Sequence, residues 1–232
     1  MADKRHCIRI AALFVQERSA YTDLPGVEAW GEAQDARTYQ GPWPVVAHPP
    51  CARWGRYWNG GPSARKKQLL GDDGGCFESA LLSVHMYGGV LEHPADSLAW
   101  TWFGIEKPPR CGGWIRCKNY AWTCCVEQGH YGHMARKATW LYISGIIEPP
   151  ELIWGPAMHA RRLKPSYKTE KEYRRAVKTG SCQRLSKRQR ACTPVPFRNL
   201  LISLARNTQA LDKGRPVFLP AQSAGRWPSP AL

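Results

Sequence analysis

Two stretches decide the fold class: Pro44-Val45-Val46-Ala47-His48-Pro49-Pro50-Cys51 and, further along, Cys76-Phe77-Glu78-Ser79-Ala80-Leu81-Leu82-Ser83-Val84-His85-Met86-Tyr87-Gly88-Gly89-Val90-Leu91-Glu92-His93-Pro94. The first is a short apolar run stopped by two prolines, which predicts a buried strand over 44–48. In the second, Phe77, Ala80, Leu81 and Val84 recur at helical spacing, which predicts a helix over 76–87. Gly88-Gly89 is a helix stop. Val90-Leu91-Glu92-His93 then predicts a strand closed by Pro94. Strand, helix and strand in short succession form a βαβ unit, so an α/β fold with a parallel sheet is expected.

Working outward, Ile8-Arg9-Ile10-Ala11-Ala12-Leu13-Phe14-Val15 predicts a further buried strand, and residues 138–145 another. Phe197, Leu200, Leu201, Leu204 and Ala205 mark an amphipathic helix after Thr193-Pro194-Val195-Pro196. The expected organisation is a catalytic α/β domain over 1–155 and a basic linker or nucleic-acid-contacting segment over 156–192. A helix over 193–212 packs back on the core, and 213–232 is a proline-containing tail.

Composition narrows the class. The chain has 232 residues, a net charge of +15 and 43% hydrophobic residues, which excludes wholesale disorder. No apolar run is long enough to span a bilayer, and Met1-Ala2-Asp3-Lys4-Arg5-His6-Cys7 lacks the pattern of a secretory leader. No membrane association and a cytoplasmic location are therefore expected. Residues 158–232 carry 17 of the 33 Lys and Arg but only 3 of the 18 Asp and Glu. Like charges at that density repel unless a polyanion neutralises them, and a phosphate backbone is the usual polyanion. DNA is the expected partner, with Arg161, Arg162, Arg174, Arg175, Lys187 and Arg188 as its contacts.

The chemistry-bearing residues cluster at predicted strand ends, where open α/β sheets place their ligands. Cys51 follows a strand directly and is held by Pro49 and Pro50. Glu92 sits on the next strand between apolar residues and Pro94; partial desolvation there would raise its pKa and suit it to donate a proton. A third stretch, Glu127-Gln128-Gly129-His130-Tyr131-Gly132-His133-Met134-Ala135-Arg136-Lys137, is a polar loop that could hold an anion or a base edge. Cys111, Cys117, Cys124, Cys125, His130 and His133 also gather in this part of the chain, but Cys-x5-Cys and Cys-Cys are not zinc-knuckle spacings, and no metal is expected.

In this order the segments resemble the cytosine-C5 DNA methyltransferases, in a compact, phage-like form. His48-Pro49-Pro50-Cys51 is similar to the strand ending in Pro-Cys of that family. Leu91-Glu92-His93-Pro94 is similar to its Glu-Asn-Val strand, with His93 in place of Asn. Tyr131-Gly132 followed by Arg136 and Lys137 is similar to its Tyr-Gly and Arg-x-Arg segment with the spacing altered, and Thr193-Pro194-Val195-Pro196-Phe197 to its last motif. The resemblance implies a Rossmann-like methyltransferase sheet, a DNA substrate and S-adenosylmethionine as methyl donor. It implies Cys51 as the nucleophile on C6 of a flipped cytosine, Glu92 as the group that protonates the ring nitrogen, and Arg136 as a holder of the ring or its phosphate. Pro50, His93, Tyr131, His133 and Lys137 would line the substrate. Phe14, Asp35 and Pro194 would line the cofactor, with Asp23, Glu28 and Glu32 as other acids able to bind ribose. The chain departs from the family's Phe-x-Gly-x-Gly loop: Phe14-Val15-Gln16-Glu17-Arg18-Ser19 has no glycine, and so the cofactor half is expected to be shortened. Two other functions remain open: a non-catalytic DNA-binding protein on a degenerate fold of this type, and a cysteine enzyme acting on free pyrimidine nucleotide.

Overall fold

A computed structural model describes residues 8–60, 68–160, 169–179 and 185–210. Arg161, Arg162 and the tail expected over 213–232 lie outside the described residues, and so do the side chains of Lys187 and Arg188.

The core is one mixed seven-stranded sheet. Its strands are β1 (Ile10–Leu13), β2 (Val27–Trp30), β3 (Val45–Ala47), β4 (Gly89–Pro94), β5 (Trp114–Arg116), β6 (Trp122–Glu127) and β7 (Ala138–Ser144), in the spatial order β2-β1-β3-β4-β7-β6-β5. The first four of that order run parallel. Beyond β4 the expectation of a parallel sheet needs correcting, because β7 pairs antiparallel to β4, β6 to β7 and β5 to β6. The connections explain the change. A parallel neighbour needs a crossover of a dozen or more residues. Between β3 and β4 the chain supplies one in α1 (Cys76–Tyr87), whereas β6 and β7 are joined by a polar loop that permits only a hairpin-like return.

Alternation along the strands builds two cores, one on each face of the sheet. Leu13, Ala47 and Leu91 point to one face, where Phe77 and Val84 of α1 and Trp100 of α2 (Leu98–Trp102) cover them. Ile10, Ala12, Val46 and Val90 point to the other face. There Phe197, Leu201 and Leu204 of α5 (Val195–Arg206) cover them. Pro196 stands in the first turn of α5, where its missing amide would have had no helical partner. Two further helices, α3 (Glu170–Lys178) and α4 (Lys187–Ala191), precede it in the chain, and Thr169 caps α3 by accepting from the Glu172 amide at 3.1 Å.

Gly88-Gly89 does more than end α1. Gly89 lies opposite Val45 in the parallel register with a φ of 129°, a backbone region that side chains rarely enter. A Cβ there would also stand 2.6 Å from the Val45 amide nitrogen. Gly89→Ala should therefore cost at least about 2 kcal/mol through backbone strain and overlap. Urea denaturation checks this; an unchanged midpoint would show that β3 and β4 do not meet in this register.

Candidate active site

Cys51 owes its position to the tight turn that it begins. The Trp54 amide donates to the Cys51 carbonyl at 3.1 Å, and Trp54 itself is buried. Its ring packs against Phe77, Trp102 and Phe103, and its indole N–H donates to Asp73 Oδ2 at 2.7 Å. The same carboxylate accepts from the amides of Gly75 and Phe77 at the start of α1. The turn after β3 is thus pegged to the helix that leads into β4, and Cys51 is left exposed beyond the carboxyl end of β3.

Glu92, on β4, faces the same side of the sheet as Val90 and lies almost wholly out of water. Gln128 Nε2 donates to its Oε1 at 2.9 Å and to Thr139 Oγ at 3.0 Å. Its Oε2 lies 3.1 Å from His48 Nδ1, and His48 Nε2 lies 2.9 Å from the Tyr21 hydroxyl. Burial is the largest single influence on Glu92 and opposes ionisation. The His48 hydrogen bond and the positive charge of Lys137 outweigh it and hold the carboxyl down at about 2. This corrects the expectation of a raised pKa: burial was legible in the sequence, but the partners that reverse its effect come from three other segments. Because an ionised carboxylate only accepts, His48 Nδ1 must carry a proton toward Glu92.

The Cys51 thiol is pushed up, first by the sheltering of its sulfur and then by the negative charge of Glu92, while Lys137 pulls the other way. Cys51, Glu92 and Lys137 thus feel one another's charge at the carboxyl ends of β3 and β4, beside the start of β7. In the resting protein the cysteine is a thiol.

The remaining sequence candidates fall elsewhere. Arg136 is held away from this group: its Nε donates to the Ala157 carbonyl at 3.1 Å and its Nη2 lies 3.0 Å from Met158 Sδ. Lys137, its neighbour, is the basic residue that acts on Glu92. His93 points to the opposite face from Glu92, buried edge-on to Phe77 and stacked near Trp100. Burial lowers its pKa to about 4. Neither of its ring nitrogens makes a hydrogen bond; the Pro50 carbonyl is close enough to favour a proton but outside bonding geometry. Pro50 is exposed on the turn into Cys51. The Tyr131 hydroxyl accepts from the Ile153 amide, and its ring packs on Phe197, so it braces α5. His133 is buried and its Nδ1 is engaged with the Ala135 backbone. Pro194 caps α5 beside Gly132.

At the same carboxyl end of the sheet, on its β1–β2 side, Phe14 follows β1 with a left-handed φ of 60°, and Asp35 accepts from Arg37 with both carboxylate oxygens at 2.8 Å each. A Cβ on Gly31, just past β2, would meet the Val15 carbonyl at 2.7 Å, so that glycine accommodates protein backbone and leaves no open cradle. These residues do not fit S-adenosylmethionine in the way the resemblance implies. The cysteines are likewise dispersed. Cys124 and Cys125 belong to opposite core faces, burial raises both thiols, and no group of three or more metal ligands forms among the described residues. A cavity of about 340 Å³ near the end of β6 is lined by Arg110, Cys125, Glu127 and Pro156 and does not include Cys51.

Three partners were not singled out in the sequence: His48, Tyr21 and Gln128. His48 and Gln128 carried a signal, their places within the Cys51 motif and the polar loop over 127–137, whereas Tyr21 carried none. Among the described basic candidates, Arg174 and Arg175 are exposed on α3, and Arg174 lies 3.5 Å from Glu170 one turn away. No described helix is long and apolar enough to cross a membrane. No protein-family model matches the chain, and no curated protein matches it in sequence.

The charge coupling at Cys51 makes a direct expectation. Glu92→Gln removes the negative charge that raises the thiol, so alkylation of Cys51 should begin at lower pH. Lys137→Met should move it to higher pH. Iodoacetamide labelling followed by peptide mass spectrometry separates Cys51 from the exposed Cys111 and Cys192. Identical Cys51 curves in all three proteins would show that the groups are not neighbours.

Proposed function

We propose that the protein is a pyrimidine-modifying transferase of the DNA cytosine-C5 methyltransferase type, with Cys51 as nucleophile. The observation that carries this reading is the electrostatic coupling of Cys51 and Glu92, from two adjacent parallel strands, with Lys137 at the start of the antiparallel β7 beside them. A thiolate adds to C6 of a pyrimidine only if the ring nitrogen can accept a proton, and an acid group opposite the cysteine meets that need. Cys51 would form the covalent bond, Glu92 would bind the ring nitrogen, and Lys137, rather than Arg136, would steady the charge between them. The parallel order β2-β1-β3-β4 with an antiparallel strand beyond it supports a Rossmann-like methyltransferase sheet. S-adenosylmethionine enters the proposal on the resemblance alone, and no step is derived through it.

A second reading has its own support. The raised Cys51 thiol, the absence of a glycine cradle after β1 and the Arg37-bound Asp35 all favour a non-catalytic DNA-binding protein on the same scaffold. Capture of a duplex containing 5-fluorocytosine decides between them. Wild type should form a covalent adduct and Cys51→Ser none, with DNA binding retained in both. A wild-type protein that binds DNA but forms no adduct, with or without S-adenosylmethionine, establishes the second reading. Capture of the free nucleotide in preference to the duplex would place the substrate outside DNA.

The basic stretch from Arg161 to Arg190 supports a DNA partner through its charge. Each phosphate neutralised contributes about 0.9 to the slope of log affinity against log salt. Replacing Arg174, Arg175, Lys187 and Arg188 with Gln should flatten that slope and weaken all duplexes alike, since phosphate contacts do not read bases. Fluorescence anisotropy over a salt series measures both; a slope equal to wild type would remove this support for DNA.

A further inference from the structure

The Cys51–pyrimidine reading leaves a difficulty: the carboxyl that must give a proton to the ring is ionised at rest. Its neighbour resolves it. His48 lies between a carboxylate and a phenol, with Nδ1 3.1 Å from Glu92 Oε2 and Nε2 2.9 Å from the Tyr21 hydroxyl. A carboxylate fixes a proton on Nδ1. A hydroxyl, in contrast, both donates and accepts, so Nε2 can be bare or protonated without losing its hydrogen bond. Imidazole in this setting can hold one proton or two at unchanged geometry, which a carbonyl partner would not allow.

We propose that His48 is the positioning residue for Glu92 and its source of protons, passed from His48 Nδ1 to Glu92 Oε2 while the Tyr21 hydroxyl holds His48 Nε2. This rests on the reading of Cys51 as a pyrimidine nucleophile. Cys51 first gives its thiol proton to solvent, to which it is exposed; as the resulting thiolate adds, its sulfur lone pair forms the S–C6 bond. The C5–C6 π pair moves to C4–C5, the C4–N3 π pair moves to N3, and N3 takes a proton from Glu92. Glu92, a carboxylate at rest, first takes the Nδ1 proton of imidazolium and passes it on to N3, so that it ends as the carboxylate with His48 neutral. Elimination of Cys51 runs the same path backwards and returns the proton. Tyr21 stays protonated throughout, because burial and then the charge of Glu92 raise its hydroxyl.

The groups around the pair fit this assignment. Lys137, ahead of β7, favours the Glu92 anion between turnovers. Gln128, after β6, holds the other carboxylate oxygen and cannot titrate. His93, on β4 itself, is kept neutral by burial. Arg198 of α5 acts on Tyr21 and donates to the Ala20 carbonyl at 2.7 Å, fixing the loop that carries the phenol. Cys51 is the remaining group that feels Glu92.

Two measurements on the full-length chain test the relay. In the first, the Glu92 side-chain carboxyl is titrated by carbon-13 NMR in wild type and His48→Asn. Loss of the imidazole should move its midpoint upward; an unchanged midpoint would overturn the proposal. In the second, single-turnover capture of the 5-fluorocytosine duplex is followed against pH. Wild type should show an alkaline limb in the capture rate that depends on the relay. His48→Asn should capture about a hundredfold more slowly, without that limb and with duplex affinity retained. Tyr21→Phe should shift the limb. An alkaline limb unaltered in His48→Asn would overturn the relay even if the rate fell. Should wild type capture nothing at any pH while Glu92 still responds to His48, the pyrimidine reading fails and the coupling of His48 to Glu92 stands.

Discussion

An ionised carboxylate withdrawn from water costs several kcal/mol unless partners compensate for its lost hydration. Glu92 is such a group, and its compensation draws together segments that are distant in the chain. His48 follows β3, Gln128 follows β6, Thr139 belongs to β7, and Glu92 itself lies on β4. Satisfying one buried charge therefore fixes how four neighbouring strands approach one another at one end of the sheet. The arrangement is consequential in both directions. Every partner removed leaves a desolvated charge short of a hydrogen bond, and every partner retained holds the carboxylate in one orientation.

The parallel part of the fold was legible because it depends on local pattern. The apolar run at 45–47, the helical spacing over 76–87 and the double glycine before Val90 each report on their own neighbourhood, and they recur as β3, α1 and β4. Likewise α5 was visible from the spacing of Phe197, Leu201 and Leu204. Strand β2 was missed because Val27-Glu28-Ala29-Trp30 is half exposed at the sheet's margin and carries no apolar run. In the antiparallel half, β7 matches the strand expected over 138–145, whereas β5 and β6 were missed for a different reason. The stretch Trp122-Thr123-Cys124-Cys125-Val126-Glu127 invited reading as a cysteine cluster, when its alternation is that of a strand placing Cys124 on one core face and Cys125 on the other.

At the site, strand ends were legible and partners were not. Cys51 and Glu92 follow from the rule that strand termini in open sheets face ligands. The choice between Arg136 and Lys137 does not. Adjacent residues leave the chain in opposite directions, and only the position of the Ala157 carbonyl shows that Arg136 is occupied elsewhere. The direction of the Glu92 shift is a similar case. Burial is a property of its own strand, but the hydrogen bond that reverses the effect comes from a residue 44 positions earlier in the chain.

The charges at Cys51 and Glu92 are antagonistic, and this bears on how a thiol above its ordinary pKa could act at all. Each negative charge disfavours the other, so the resting protein keeps Glu92 ionised and Cys51 protonated. Any event that places a proton on Glu92 removes the charge that, after burial of the sulfur, most raises the thiol. In the proposed reaction, a pyrimidine ring docking against Glu92 with a proton supplied by His48 is such an event. The nucleophile would then become available chiefly when an acceptor is present, and an exposed cysteine would otherwise stay in its less reactive form. The same coupling explains why a lysine rather than a second acid stands beside the pair. Lys137 favours the anion on both groups and so limits the cost of the thiolate, without contributing a charge that would repel it.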